Sequence, residues 1–457
     1  MSSSLSPTLG RFFGKVSLFT LGVFSTVFLQ AQLEVPETQL PQLDRLIEQA
    51  ISQSPRMIVR NADAAAAEAD LLTAKAARLP SVNTSASWVA SHEDRGDFAG
   101  AVPADKLYYS FTITQPLYQW GNIKRSIESA EIRKAMDAGH TRQAYLLVAN
   151  EVREKYLNLV RERRNLESAR FNLQLANQSL AEGREKRKQN IVSDADIFQA
   201  ELHQQRMEFQ VFTTEDTFIY SGEVLGRLSG TEPLIEQEVP LDFPAPPLKA
   251  NEAIIAALVS GFLREDIPGN TTIDMALKQM EISQNDLHRN KTALRPTVNL
   301  IAGATLDEQS YDLNIANKYE VQSLYAGVSM NWAIFDGFAT KGRIRSSLAK
   351  MRAAEANFDS KLLEIQSDVA SYGRQFKSLA LAIVISDREL DSAQNALADV
   401  KERLKRGEAS DAHVNASEAH LHSAYGRALY DRSNYWAKLG ALMNLIEADP
   451  ILNRVGR

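Results

Sequence analysis

Phe111-Thr-Ile-Thr-Gln-Pro-Leu-Tyr-Gln-Trp120 returns 217 residues later as Val328-Ser-Met-Asn-Trp-Ala-Ile-Phe-Asp-Gly337. The offset continues well past this stretch. Val152, Leu159, Leu166, Leu173 and Leu180 stand at seven-residue intervals, and their counterparts at +217 are Val369, Phe376, Ile383, Leu390 and Leu397. Ser193-Asp194-Ala195 returns as Ser410-Asp411-Ala412. One offset running through alternating, heptad and turn-like text marks the duplication of a single structural unit.

The quoted stretch opens on a period of two. Leu107, Tyr109, Phe111 and Ile113 are apolar, while Ser110, Thr112 and Thr114 between them are polar. In the second copy Leu324, Ala326, Val328, Met330, Trp332 and Ile334 form the apolar set. Upstream, Val82, Thr84, Ala86, Trp88 and Ala90 alternate with Asn83, Ser85 and Ser87, and Val298, Leu300, Ala302 and Ala304 repeat this at an offset of 216. Each copy therefore reads as strand, polar loop, strand, with loops at Ser91–Lys106 and Leu306–Lys318. Trp88, Trp120 and Trp332 sit in or at the ends of the strands, beside Tyr108, Tyr109, Tyr118 and Tyr325. Strands of about ten residues with interfacial aromatics suit an outer-membrane barrel, and they also suit a soluble sheet. In a barrel, four strands cannot close by themselves, so two or three chains must share the wall.

Downstream the period changes. There is no proline between Pro116 and Pro233 or between Pro296 and Pro450, whereas Pro233–Pro268 holds six of the fifteen. Long helices exclude interior proline. The two proline-free tracts are predicted helical hairpins, and the proline-rich stretch is a connector. The incoming helices, about Ile123–Gln189 and Thr340–Arg406, would each run about 100 Å at 1.5 Å per residue. Their heptads predict coiled-coil packing, with Ala169, Ala176 and Gly183 allowing close approach. Asn190 and Gly407 can take the left-handed conformation that ends a helix. Ser193 or Asp194, and Ser410 or Asp411, can cap the next one.

The 457 residues could hold two or three domains or one elongated body. A net charge of −6 argues against general nucleic-acid binding. The chain has no cysteine, which excludes disulfides, Cys-based metal sites, a Cys nucleophile and lipidation on cysteine. Arg11 and Lys15 precede the apolar run Val16–Leu29, which reads as a signal peptide cut after Ala31; an uncleaved anchor is the alternative. No later segment approaches the roughly 20 apolar residues of a spanning helix. The predicted organisation is signal peptide 1–31, first repeat 32–230, connector 231–250, second repeat 251–447 and tail 448–457.

The doubled strand-to-helix element (Gln115-Pro116-Leu117-Tyr118 through Gly121, and Ala333-Ile334-Phe335-Asp336-Gly337) resembles the outer-membrane efflux protein, or TolC-like, family. So do the small helices expected at Leu43–Ser54 and Asn251–Arg264. The resemblance covers about Leu40–Glu447. It implies a mixed α+β membrane protein: a homotrimer whose chains each give four strands to a 12-stranded outer-membrane barrel, continued by a long α-helical barrel in the periplasm. It implies a passive exit duct without a cofactor, completed by a periplasmic adaptor and an inner-membrane transporter and set in outer-membrane lipid. By the same resemblance, Asn190-Ile191-Val192-Ser193 and Gly407-Glu408-Ala409-Ser410 are adaptor-binding turns.

Asp196, His413, Asp194 and Asp411 are the gate candidates. Asp194 and Asp411 read first as caps, and Asp196 as the better gate acid because it follows the cap. His413 stands where an aspartate is common in the family, and Ala416 where one relative has a pore-lining aspartate. His413, His420 and His422 cluster near the second tip, but 420 and 422 fall on different helix faces, and no metal site is expected. No glycine-rich phosphate loop or catalytic constellation appears, so no enzyme is expected. The rival reading is a periplasmic coiled-coil adaptor or other structural coiled coil. Such an adaptor would usually show one hairpin, where this chain shows two.

Overall fold

The computed structural model describes residues 34–93, 102–311 and 319–455. The predicted signal segment lies outside them. The first repeat holds α1 (Pro41–Gln53), α2 (Pro55–Ala76), β1 (Ser81–Glu93), β2 (Val102–Tyr118), α3 (Asn122–Lys188) and α4 (Asp194–Ser229). The second holds α5 (Leu248–Arg264), α6 (Thr271–Lys291), β3 (Thr297–Tyr311), β4 (Tyr319–Asn331), α7 (Ala339–Lys405) and α8 (Asp411–Ile446). A short α9 (Ile451–Val455) follows.

The long helices begin and end one residue earlier than predicted and are 67 residues each. Of the ten predicted heptad positions only Leu173 is half-buried; the others are buried. A seven-residue repeat keeps one stripe facing the same neighbour along the whole helix. The duplication is equally plain in the backbone. The described residues with left-handed φ are Trp120, Gly121, Asn190 and Gly230, and Gly337, Phe338, Gly407 and Glu447. These are four pairs at +217, each with glycine in one copy only.

Three expectations need correction. β4 stops at Asn331, so Trp332 and Ile334 belong to the corner rather than the strand. The strands also reach into both predicted loops: β1 runs to Glu93, β2 starts at Val102 and β3 runs to Tyr311. The sequence reading also passed over α2 and α6. Ser54 caps α2 by accepting from the Met57 N–H, with Pro55 at the first helical position. Asn270 caps α6 through the Thr272 and Ile273 N–H groups.

The strands form one antiparallel sheet in the order β1-β2-β3-β4. Its register sets Ile113 opposite Val82 and Ala302, and Leu300 opposite Val328. All four apolar sets therefore share one face. Ser85, Ser110 and Thr112 share the other, with Ser85 and Ser110 hydrogen-bonded at 2.7 Å. The outer edges of β1 and β4 have no strand partner among the described residues.

Below the sheet, α3 packs on α4, α8 and α6, and α7 packs on α8 and α6. Gly230, at the end of α4, abuts Gln53, the last residue of α1 and the neighbour of the α2 cap Ser54. At the matching junction, Asn270 donates to the Leu445 carbonyl at 2.7 Å, which stacks α8 under α6. The helices thus make a four-column wall: α2 over α4, α3, α6 over α8, and α7. Near its middle, α1, α5, α9 and the connector form a belt around the principal core.

Candidate functional site

Two surfaces of this wall could carry function: its open edges and its lower tips. On the α4 edge Phe198, Phe209, Phe212 and Ile219 are exposed, and on α7 Leu381, Val384 and Ile385. The sheet above likewise exposes Trp88, Phe111, Leu324, Val328 and Met330. So many exposed large apolar side chains along the edges and the sheet face call for a covering medium or partner. No described helix is long and apolar enough to cross a membrane.

Aromatic side chains crowd the corner between sheet and helices. The Trp120 indole N–H donates to the Pro296 carbonyl at 2.7 Å, and that of Trp332 to the Leu294 carbonyl at 3.0 Å. Tyr118 stands edge-on to Trp120 with centroids 5.0 Å apart. Aromatic rings at such a level match the girdle that barrels place at a membrane interface.

The tips are twice-built turns. At the first, Asn190 N–H donates to the Arg187 carbonyl and Ile191 N–H to the Lys186 carbonyl, both at 2.9 Å. At the second, Gly407 donates to Leu404 and Glu408 to Arg403, again at 2.9 Å. This pair of bonds ends a helix on a left-handed residue. Glycine adopts that conformation freely at 407, with φ +77°, whereas Asn190 holds it with a side chain at φ +56°.

The caps then differ. Ser193 opens α4, and its Oγ accepts from the Asp196 N–H at 3.2 Å. The Asp196 carboxylate accepts from the Ser193 N–H at 2.9 Å and from its hydroxyl at 2.6 Å, closing a capping box. Those bonds hold the Asp196 pKa below the usual aspartate value. Asp194, in the first turn, takes a bidentate contact from Arg187 at 2.6 and 2.9 Å, which also lowers its pKa. At the second tip His413 replaces Asp196. Its Nδ1 accepts from the Ser410 N–H at 3.3 Å and lies 2.8 Å from the Ser410 hydroxyl. Asp411 lacks Asp194's partner, because Leu404 occupies the place of Arg187. Asp196, the residue expected beyond the cap, is thus part of it.

The other histidines have separate surroundings. His422 stacks on Phe171 with centroids 4.8 Å apart; burial, then the Arg164 charge, lower its pKa. His420 lines a surface cavity with Arg388 and Arg427. No group of three His, Cys, Asp or Glu among the described residues could hold a metal ion. At the tips, then, the structure offers caps, ion pairs and an exposed Ile191.

The pH behaviour of the first tip follows from these bonds. Folded-state pKa values lowered from 3.8 mean that the caps contribute fully above that value and fade as pH falls through the lowered one. Hydrogen exchange at 194–197 should therefore rise only on acidification below the ordinary carboxylate range. His413→Asp should slow exchange at 411–414 by giving the second tip a carboxylate box. Unchanged exchange there would show that the imidazole already caps as well as a carboxylate.

The model of the family described as outer membrane efflux protein matches residues 46–207 and 269–446. The chain belongs to the outer membrane efflux protein family. Its fold agrees with solved channels at low identity. The outer membrane protein VceC of Vibrio cholerae is 18% identical, with 90% of this chain and 97% of that one covered and a TM-score of 0.64. The outer-membrane channel OprN is also 18% identical, with 92% and 94% covered and a TM-score of 0.66. The MtrE channel of Neisseria gonorrhoeae, in its open state, is 16% identical, with 89% of each chain covered and a TM-score of 0.62. No curated protein sequence matches. Membership of this family replaces the coiled-coil adaptor reading and places the chain among efflux channels rather than enzymes.

Proposed function

We propose that this family member is the outer-membrane exit duct of an efflux or secretion assembly, built as a homotrimer. One observation carries the reading. An apolar-faced sheet with two open edges runs directly into a helical wall that is also open on both sides. Lipid can cover the apolar face, but it cannot satisfy the edge N–H and C=O groups of β1 and β4. Copies joined head to tail close both rings at once: β4 of one against β1 of the next, and α7 against α2 and α4. Three copies give 12 strands. The corner aromatics mark the inner boundary of the membrane, so the helices extend into the periplasm. The segment 1–31 serves as the export signal.

In this reading the energy for transport comes from an inner-membrane transporter, and a periplasmic adaptor docks at the tips. The docking turns are Asn190–Ser193 and Gly407–Ser410, with Ile191 the apolar contact. The Arg187–Asp194 pair and the Ser193–Asp196 and Ser410–His413 caps stiffen the turns that must move when the mouth opens. Asp194, Asp196, Asp411 and His413 are thus the gate candidates, the caps among them acting through turn geometry. Single-channel conductance in a planar bilayer tests the duct. A protein that leaves membranes with a salt wash and carries no current would defeat the reading.

Gly407→Val should impair export without blocking trimer assembly. A β-branched side chain at φ +77° is strained by roughly 1–3 kcal/mol, and no atom lies within 4 Å of the added Cβ to transmit a clash into the wall. Full export by an assembled Gly407→Val trimer would remove this turn from the docking surface.

A further inference from the structure

On the belt, α5 lies along α7 and leaves a cavity of about 360 Å³ between them, with Tyr435 of α8 among its lining residues. Ile255, Val259, Leu263 and Phe376 give it an apolar wall. Arg374, Lys377 and Glu252 also line it. Neither Arg374 nor Lys377 makes an ion pair or hydrogen bond among the described residues, so two cations face a single carboxylate. One turn of α5 away from lining residues Leu248 and Ile255, Asn251 is 1% exposed, with its side chain beside the Tyr435 phenol.

The duplication supplies an internal comparison. At −217 from Ala370, Gly373, Arg374 and Lys377 stand Arg153, Tyr156, Leu157 and Val160 on α3. Those four are all buried, and α1 packs on α3 as α5 packs on α7. The Tyr156 phenol fills the first-repeat site and donates to Gln42 of α1 at 3.0 Å. In the second repeat the tyrosine is Gly373. A Cβ there would stand 3.1 Å from Val259, so the glycine lets α5 close in at one end while the rest of the slot stays open. Two apolar plugging residues have also become cations. These changes are what converting a packed core into a pocket requires: volume removed, and charge of one sign placed at its lip.

We infer that this slot binds a small organic anion with an apolar body, such as a fatty or aryl carboxylate. The body would lie between α5 and α7, and the carboxylate would meet Arg374 and Lys377. Apolar walls with a few convergent polar groups are the general form of a small-molecule site, and guanidinium is the preferred partner of a carboxylate.

The test titrates decanoate into the assembled full-length protein, held in lipid nanodiscs so that detergent does not fill the slot. Saturable binding near one per chain is expected. Arg374→Gln with Lys377→Gln should weaken it by roughly tenfold or more. Ala256→Phe, which fills the slot, should abolish it, and decylammonium should not bind. Lys377→Gln alone alters only an exposed side chain, so it gives a weaker but readable loss even if the double variant assembles poorly. Three results would overturn the inference: equal affinity in all variants, equal binding of decylammonium, or no saturable binding to the wild-type trimer, as when a neighbouring copy fills the slot. Conductance measured on the same preparation reports on the duct separately.

Discussion

Arg153→Met is expected to cost about 3–5 kcal/mol of stability, the usual range for removing one partner of a buried ion pair. Arg153 is 2% exposed in the middle of α3. It donates to both carboxylate oxygens of Glu37 and to both of Asp449, with Nε to Glu37 at 2.9 Å and Nη2 to Asp449 Oδ1 at 3.0 Å. Burial works against its charge, but Asp449 and then Glu37 outweigh it and hold the guanidinium protonated. Asp449 also accepts from the Ile451 N–H at 2.9 Å, which starts α9. The cluster therefore fastens the segment before α1 and the segment after α8 onto one point of the wall. Without the arginine, two buried carboxylates face each other with no cation between them.

The measurement is the melting temperature of the assembled protein, together with hydrogen exchange at 34–38 and 449–455. Both segments should lose protection together. The triple change Arg153→Met, Glu37→Gln and Asp449→Asn should recover much of the loss, because it removes the uncompensated charge. If Arg153→Met melts like the wild type, the cluster is not what holds the ends of the belt.

Little of this cluster was legible in the sequence. Its members are 116 and 296 residues apart, and no periodicity links a lone arginine to distant acids. The wall was legible because its cause is local and repeated. A heptad keeps one stripe inward wherever it occurs, so Val152 through Leu397 announced their burial before any partner was known. The strands and their apolar faces followed from alternation for the same reason. The helices α2 and α6 did leave signals, in Ser54-Pro55 and Asn270 at their caps, but the short helices beside them drew attention first. At the first tip the spacing Ser193-x-x-Asp196 is itself a capping-box pattern; read as cap followed by free acid, it made Asp196 look more available than it is. The slot on α7 lay between these cases. The Tyr156-to-Gly373 exchange is plain at +217, but its meaning depends on α5 lying across it.

Gly303→Val should prevent assembly of the sheet, with the largest effect of any change in the strands. Gly303 is on β3 opposite Thr112 of β2 and Tyr325 of β4. A Cβ there would come within 2.4 Å of the Phe111 carbonyl oxygen and 2.6 Å of the Tyr325 hydroxyl. The Tyr325 side chain could swing aside, giving up its 3.1 Å hydrogen bond to the Thr112 hydroxyl. The Phe111 carbonyl cannot, because it is part of the β2–β3 ladder. Relief would have to come from moving β3 away from β2, and in a membrane each ladder group left unpaired costs several kcal/mol. Heat-resistant oligomer recovered from the outer-membrane fraction is the readout, expected to fall at least about tenfold for an added cost above 1.4 kcal/mol. Gly327→Val is the matched control on β4: nothing lies within 4 Å of its added Cβ, so assembly should be nearly unchanged. Tyr325→Ala combined with Gly303→Val separates the two obstacles. Restored assembly in that double variant would mean that the phenol was the barrier and that the β2 backbone can yield; continued failure would place the constraint in the β2–β3 ladder itself.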